Sequence, residues 1–164
     1  MRIVKKGNKN TKSLACKSLV RPILEYGAAC WDPYKECQIN ALNCIQNKAA
    51  KFAHHLGGSN WESLAQRRKI VRMCALYKAY TGERAWKAIG DRLQAPIYLS
   101  SVDHYWRIRD RKQRTDIGKY SFVNRTITDW NKLPEGATGI FHGKTHIFKT
   151  RVREVKTSEG KRRR

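Results

Sequence analysis

The chain has 164 residues, with 35 Lys and Arg against 13 Asp and Glu, a formal net charge of +22. Such a charge repels itself unless counter-charge lies near, so a polyanion is the expected partner: nucleic acid releases condensed counterions for each neutralised phosphate, and an anionic membrane surface supplies a similar field. Apolar residues at 40%, including five Trp and seven Tyr, exclude a plain disordered basic tail, and the apolar runs are too short to span a bilayer.

Residues 1–10 are basic, with Gly and Asn, and are expected to form a flexible lead-in. Thr11 or Ser13 is a candidate cap for a first helix through Glu25, with Leu14, Leu19, Ile23 and Tyr26 among its apolar positions. Pro22 should kink or divide that helix, and Gly27 should stop it. Asp32 as N-cap and Pro33 at the first helical position predict a second helix, whose Ile39, Leu42, Ile45, Ala49 and Phe52 recur as one apolar face. Ser59 and Glu62 have capping-box spacing for a third helix carrying Trp61, Leu64, Ile70, Cys74, Tyr77 and Tyr80, with Gly82 as its C-cap. A shorter helix is expected from Glu83 to Leu93, ahead of Pro96.

From Val102 to Lys119 the character changes. Arg107, Arg109 and Arg111 alternate and would share one face of an extended segment. Tyr120 to Val123 predicts a brief strand, Arg125 to Lys132 a short helix stopped by Pro134, and Glu135 to Lys144 a glycine-rich loop. Thr145 is a candidate cap for a last helix with Ile147, Phe148 and Val152 facing inward, and Lys161–Arg164 a mobile charged tail. The expected architecture is mainly α: a helical bundle over 11–95, a basic, loop-rich C-terminal segment with short helices over 96–154, and a disordered basic tail over 155–164.

Catalytic constellations are not apparent. Two-metal enzymes need clustered carboxylates, and no two of Asp32, Asp91, Asp103, Asp110, Asp116 and Asp129 adjoin. Ser101-Val102-Asp103-His104 is only faintly like a nuclease element, because the valine breaks the spacing. His142 and His146 are four apart, but Gly143 argues for a loop rather than a metal-binding helix. Cys30, Cys37 and Cys44 are heptad-spaced and, with Cys16 and Cys74, are expected to be reduced core fillers rather than ligands. No catalytic residue, metal or cofactor is expected.

Binding residues are easier to nominate. Arg67, Arg68, Lys69 and Arg72 concentrate charge on one or two helical turns and are first candidates for phosphate contact, a solvated helix face being the alternative. Lys48 and Lys51 lie off the Ile45–Phe52 seam and would track the same strand. Arg107, Arg109, Arg111, Lys112 and Arg114, beside Tyr105 and Trp106, form the densest basic segment, suited to single-stranded nucleic acid or else a basic linker. Trp31, Trp61 and Trp130 are expected to be core anchors.

Several of these segments resemble a known family. Leu19-Val20-Arg21-Pro22-Ile23-Leu24-Glu25-Tyr26 and then Trp31-Asp32-Pro33-Tyr34 are similar to the region downstream of the palm in non-long-terminal-repeat (LINE-type, jockey-like) retrotransposon reverse transcriptases. Ile45-Gln46-Asn47-Lys48-Ala49-Ala50-Lys51-Phe52 resembles that family's next helix; Ser63-Leu64 with Arg67-Arg68, Tyr77-Lys78, and Ser121 through Pro134 continue the order. The likeness covers about residues 10 to 152, with Cys16 where the family commonly has Tyr and Asn124 where it has Pro. It implies an RNA-directed DNA polymerase parent, of which this chain would be the thumb and C-terminal segment, beginning at an internal methionine, without the catalytic palm or endonuclease. A thumb holds RNA, DNA or hybrid through its backbone. The alternatives are a protein-interaction module that packs on a missing palm or self-associates, or a decayed copy without a role. The expected setting is intracellular, with the nucleus as one option.

Overall fold

The computed structural model of the chain describes residues 7–54, 62–82, 92–101, 103–138 and 144–162, and the side chains of the last helix as far as Val155. The protein is mainly helical, in agreement with the sequence, and no strand occurs among the described residues. It divides into two units, Met1–Arg68 and Lys69–Arg164. The division falls inside one helix, and the apolar residues after Arg68 belong to the C-terminal core.

In the first unit, α1 (Lys9–Ala15) is capped by Asn8, whose Oδ1 accepts from Thr11 N–H and Thr11 Oγ1–H at 2.8 Å each, rather than by Thr11 or Ser13. Pro22 has no N–H for the carbonyl four residues back, and its ring crowds that carbonyl. The chain widens the preceding turn: Cys16–Val20 is π-helical, with the Arg21 N–H donating to Cys16 C=O, and α2 (Arg21–Glu25) follows. Cys16 and Leu24 face inward, while Leu14, Leu19, Ile23 and Tyr26 remain exposed. Gly27 ends the run at φ +66°, a left-handed position that glycine adopts freely.

The second helix, α3 (Glu36–His54), starts later than expected, because Asp32 is bonded to Arg68 instead of capping it. Its buried face is Gln46, Ala50 and Ala53, with Ile45 49% exposed. The inward stripe is thus rotated by about one residue from the Ile39–Ile45–Phe52 seam, and small side chains let the π-helical turn approach: Cys16 Sγ lies 3.5 Å from Ala49 O. Cys30, Cys37 and Cys44 are exposed, and Cys30 precedes the helix, so only Cys16 and half-buried Cys74 have core character. Trp31 is 50% exposed and is no core anchor; Trp61 and the expected Ser59 cap lie outside the described residues, as does most of the predicted 83–93 helix. The third helix, α4 (Leu64–Tyr80), opens at Ser63, whose Oγ accepts from Gln66 N–H at 3.3 Å, and Gly82 follows it at φ +77° as expected of a C-cap.

The second unit holds the larger core. Ile70, Met73, Leu76 and Tyr77 of α4 pack with Ile108, Val123, Ile127, Trp130, Leu133, Ala137, Phe148 and Val152. Thr115 caps α5 (Asp116–Tyr120), accepting from Gly118 N–H at 3.2 Å. A break at Ser121 leads into α6 (Phe122–Trp130), which replaces the expected Tyr120–Val123 strand. Val123, Ile127 and Trp130 sit at i, i+4 and i+7, so burial of a helical stripe overrides the local strand preference. One further turn, α7 (Glu135–Thr138), occupies the start of the expected loop. The last helix, α8 (Thr145–Arg162), buries Phe148 and Val152 while Ile147 faces out, and its backbone stays helical where a mobile tail was expected. Trp130 is fully buried, as expected: its ring lies 5.5 Å from Phe148 and 6.2 Å from Tyr80, and Phe148 stacks on Tyr77 at 4.5 Å.

Candidate nucleic-acid interface

The basic cluster on α4 is not presented to solvent. Arg67, Arg68 and Arg72 are all buried, and each belongs to an ion pair. Arg68, 2% exposed, donates to Asp32 Oδ1 at 2.7 Å and to the carbonyls of Leu24 and Trp31, and its guanidinium lies 4.4 Å over the Trp31 ring. One planar fork therefore caps a carbonyl at the end of α2 and fixes the turn after it, a task suited to Arg rather than Lys. Arg67 donates to Glu62 O and to Gln46 Oε1, and its Nε lies 2.6 Å from Glu25 Oε1. Burial pulls its guanidinium below the ordinary value; Glu25 opposes that and Arg21 adds to it. In the second unit, Arg72 and half-buried Lys69 both pair with Asp129. The expected phosphate cluster at Arg67, Arg68, Lys69 and Arg72 thus gives way to internal ion pairs. The helical face that sequence spacing gathers is the face that packs.

Lys48 and Lys51 are exposed on α3, away from its buried Gln46, Ala50 and Ala53.

Among the described residues, the densest accessible charge lies on a loop of the second unit over residues 92–101 and 103–114. Its limbs meet where the Arg109 N–H donates to Gln94 C=O at 2.8 Å, and the Asp103 N–H donates to Ser100 C=O at 3.0 Å. The returning limb is fixed to α6 by side chains. Trp130 Nε1–H donates to Trp106 O at 2.8 Å, and His104 Nε2 lies 3.3 Å from Trp130 O. Asn131 takes both backbone groups of Ile108, accepting its N–H at 3.0 Å and donating to its C=O at 2.7 Å.

Ile108 is fully buried, so the alternation of an extended chain turns its neighbours outward. Arg107 folds back onto Asp103 in an ion pair. Arg109, Arg111, Lys112 and Arg114 are exposed, with no ion pair among the described residues. The faint nuclease element is structural: Asp103 accepts from Ser100 N–H at 3.1 Å and pairs with Arg107, while His104 bonds the Trp130 carbonyl. Burial pushes the His104 pKa down, with the Trp130 bond opposing it. His142 lies outside the described residues, and His146 is exposed.

Sequence reasoning missed Tyr98, the most exposed aromatic residue of the loop, and the clamp made by Asn131. An Ile97-Tyr98-Leu99 triplet between Pro96 and Ser100, outside any periodic apolar pattern, was the available signal. Comparison with protein-family models, curated proteins and solved structures gives no match.

Proposed function

We propose that the chain is a non-catalytic nucleic-acid-binding segment of a non-long-terminal-repeat reverse transcriptase, gripping RNA, DNA or their hybrid through backbone phosphates. The observation that carries the binding part is the 92–114 loop, where Arg109, Arg111, Lys112 and Arg114 stand exposed on a limb pinned at Ile108. Pinning reduces the ordering that binding must impose. The parentage rests on the ordered sequence resemblance. Lys48 and Lys51 are the second contact set; Arg67, Arg68 and Arg72 are left out, because contacting phosphate would break their internal pairs.

The test is a titration of labelled hybrid, single strands and duplex across a salt series. With about six phosphates contacted, affinity falls about a thousand-fold between 50 and 200 mM salt. Arg109→Ala with Arg111→Ala flattens that slope by about two. Absence of binding at low salt would sink the proposal.

One observation favours a second reading, an interaction module. Leu14, Leu19, Ile23 and Tyr26 are all more than half exposed along the first helical run, with Trp31 and Ile45 exposed in the same unit. Exposed apolar surface of this kind marks a contact site or an association liability. On this reading the chain scatters light as aggregates at high salt, and Leu19→Lys with Ile23→Lys restores a monomer. A wild-type monomer at high salt would exclude it.

A further inference from the structure

The loop that carries the accessible arginines also carries two aromatic rings turned to solvent. Tyr98, on the outgoing limb, is 83% exposed, and Tyr105, on the returning limb, is 71% exposed. Tyr105 is nevertheless held in place. Its ring meets Trp106 edge-on at 5.0 Å, and Trp106 meets Tyr80 edge-on at 6.3 Å while its carbonyl is held by Trp130. A ring held by a neighbouring ring yet 71% exposed is preorganised for stacking, and an ordered ring loses little freedom when a base lands on it.

Resting on the nucleic-acid reading above, we infer that this loop is a stacking platform for unpaired bases of single-stranded nucleic acid, with Tyr105 and Tyr98 receiving bases and Arg109 and Arg111 holding the strand's phosphates. A duplex hides its base faces in its own stack and would engage only the arginines. A single strand offers π-faces and phosphates together, the combination used by sequence-tolerant single-strand binders. From Tyr105 to Arg111 the chain reaches at most about 20 Å, so a short oligonucleotide suffices to touch both.

The experiment uses the full chain and three labelled probes: a 12-nucleotide oligothymidylate, an abasic strand of the same length and charge, and a blunt 12-base-pair duplex. The base-bearing strand is expected to bind at least about ten-fold more tightly than the abasic one. Tyr98→Ala and Tyr105→Ala should each weaken oligothymidylate binding by about five- to a hundred-fold, with duplex affinity and salt slope unchanged. Tyr98→Phe, which keeps the ring, should retain wild-type affinity. Because Tyr98 is so exposed, its variants separate stacking from folding. Arg109→Ala with Arg111→Ala should weaken all three ligands. Equal affinity for base-bearing and abasic strands, or indifference to both tyrosine substitutions, would overturn the platform and leave backbone binding standing. No salt-dependent binding to any probe would remove the nucleic-acid reading itself.

Discussion

The interiors of the two units differ in what fills them. Met1–Arg68 buries few apolar residues, several of them small (Cys16, Leu24, Ala28, Ala50, Ala53 and Leu64), and is pinned by Arg67 and Arg68 against Glu25 and Asp32. Lys69–Arg164 closes around Trp130, with Met73, Leu76, Tyr77, Ile127 and Phe148 about it. Yet the first unit has the cleaner apolar spacing in sequence, and the second the densest run of arginines. Periodicity shows that a helix has an apolar stripe. It does not show whether that stripe is covered, and in the first unit much of it stays in water.

The largest expected effect is in the second unit. Trp130→Ala removes the central ring and leaves the Trp106 carbonyl without its donor, so a loss of about 3–5 kcal/mol is expected for the cavity and more for the orphaned carbonyl. Chemical denaturation should show a non-cooperative second unit; a loss below about 1 kcal/mol would contradict the packing described.

Arg68→Ala comes next. It takes the Arg68 fork away from Asp32 and from two backbone carbonyls, at about 3–5 kcal/mol for breaking a buried pair. Arg68→Lys should recover only part of this, since an ammonium lacks the fork. Circular dichroism melts report it, and 1 M salt should not reproduce the loss, because burial protects the pair from screening. A melt equally sensitive to salt would place the pair at the surface.

A pH effect separates the units further. His104 is buried, and its Nδ1 has no hydrogen-bond partner among the described residues. Desolvation lowers its pKa, with the Trp130 bond, Asp103 and Glu135 opposing and Arg107 adding to the fall. The unfolded chain therefore binds the proton first, and the stability due to the neutral ring is complete above about pH 6.5 and lost as pH falls toward the folded value. His104→Gln should flatten this dependence in a stability–pH series. The smallest effect belongs to Lys48→Ala with Lys51→Ala: stability within about 0.5 kcal/mol, but a shallower salt slope of binding.

Some features set by neighbouring residues were legible: Gly82 after α4, the inward Phe148 and Val152, and Trp130 as anchor. The ion pairs were not, because Arg68 and Asp32 are 36 residues apart and Arg72 and Asp129 are 57 apart. A charge cluster read along a helix says nothing of carboxylates arriving from elsewhere. The same limit hid the inward face of α3, where buried Gln46 accepts from Arg67, 21 residues away, at 2.7 Å. Of the candidate site, the exposure of Arg109, Arg111 and Arg114 was legible from local alternation and density, and among the described residues no ion pair draws their side chains inward.

The amide of Asn131 has a consequence beyond holding a loop. An extended segment with unpaired N–H and C=O groups is a template on which another chain can add as a strand. By accepting from and donating to Ile108, Asn131 occupies the position a neighbouring strand would take. At its one fully buried residue, the limb thus offers no free edge to a second copy, and the stretch from Tyr105 to Ile108 is kept from seeding cross-chain pairing.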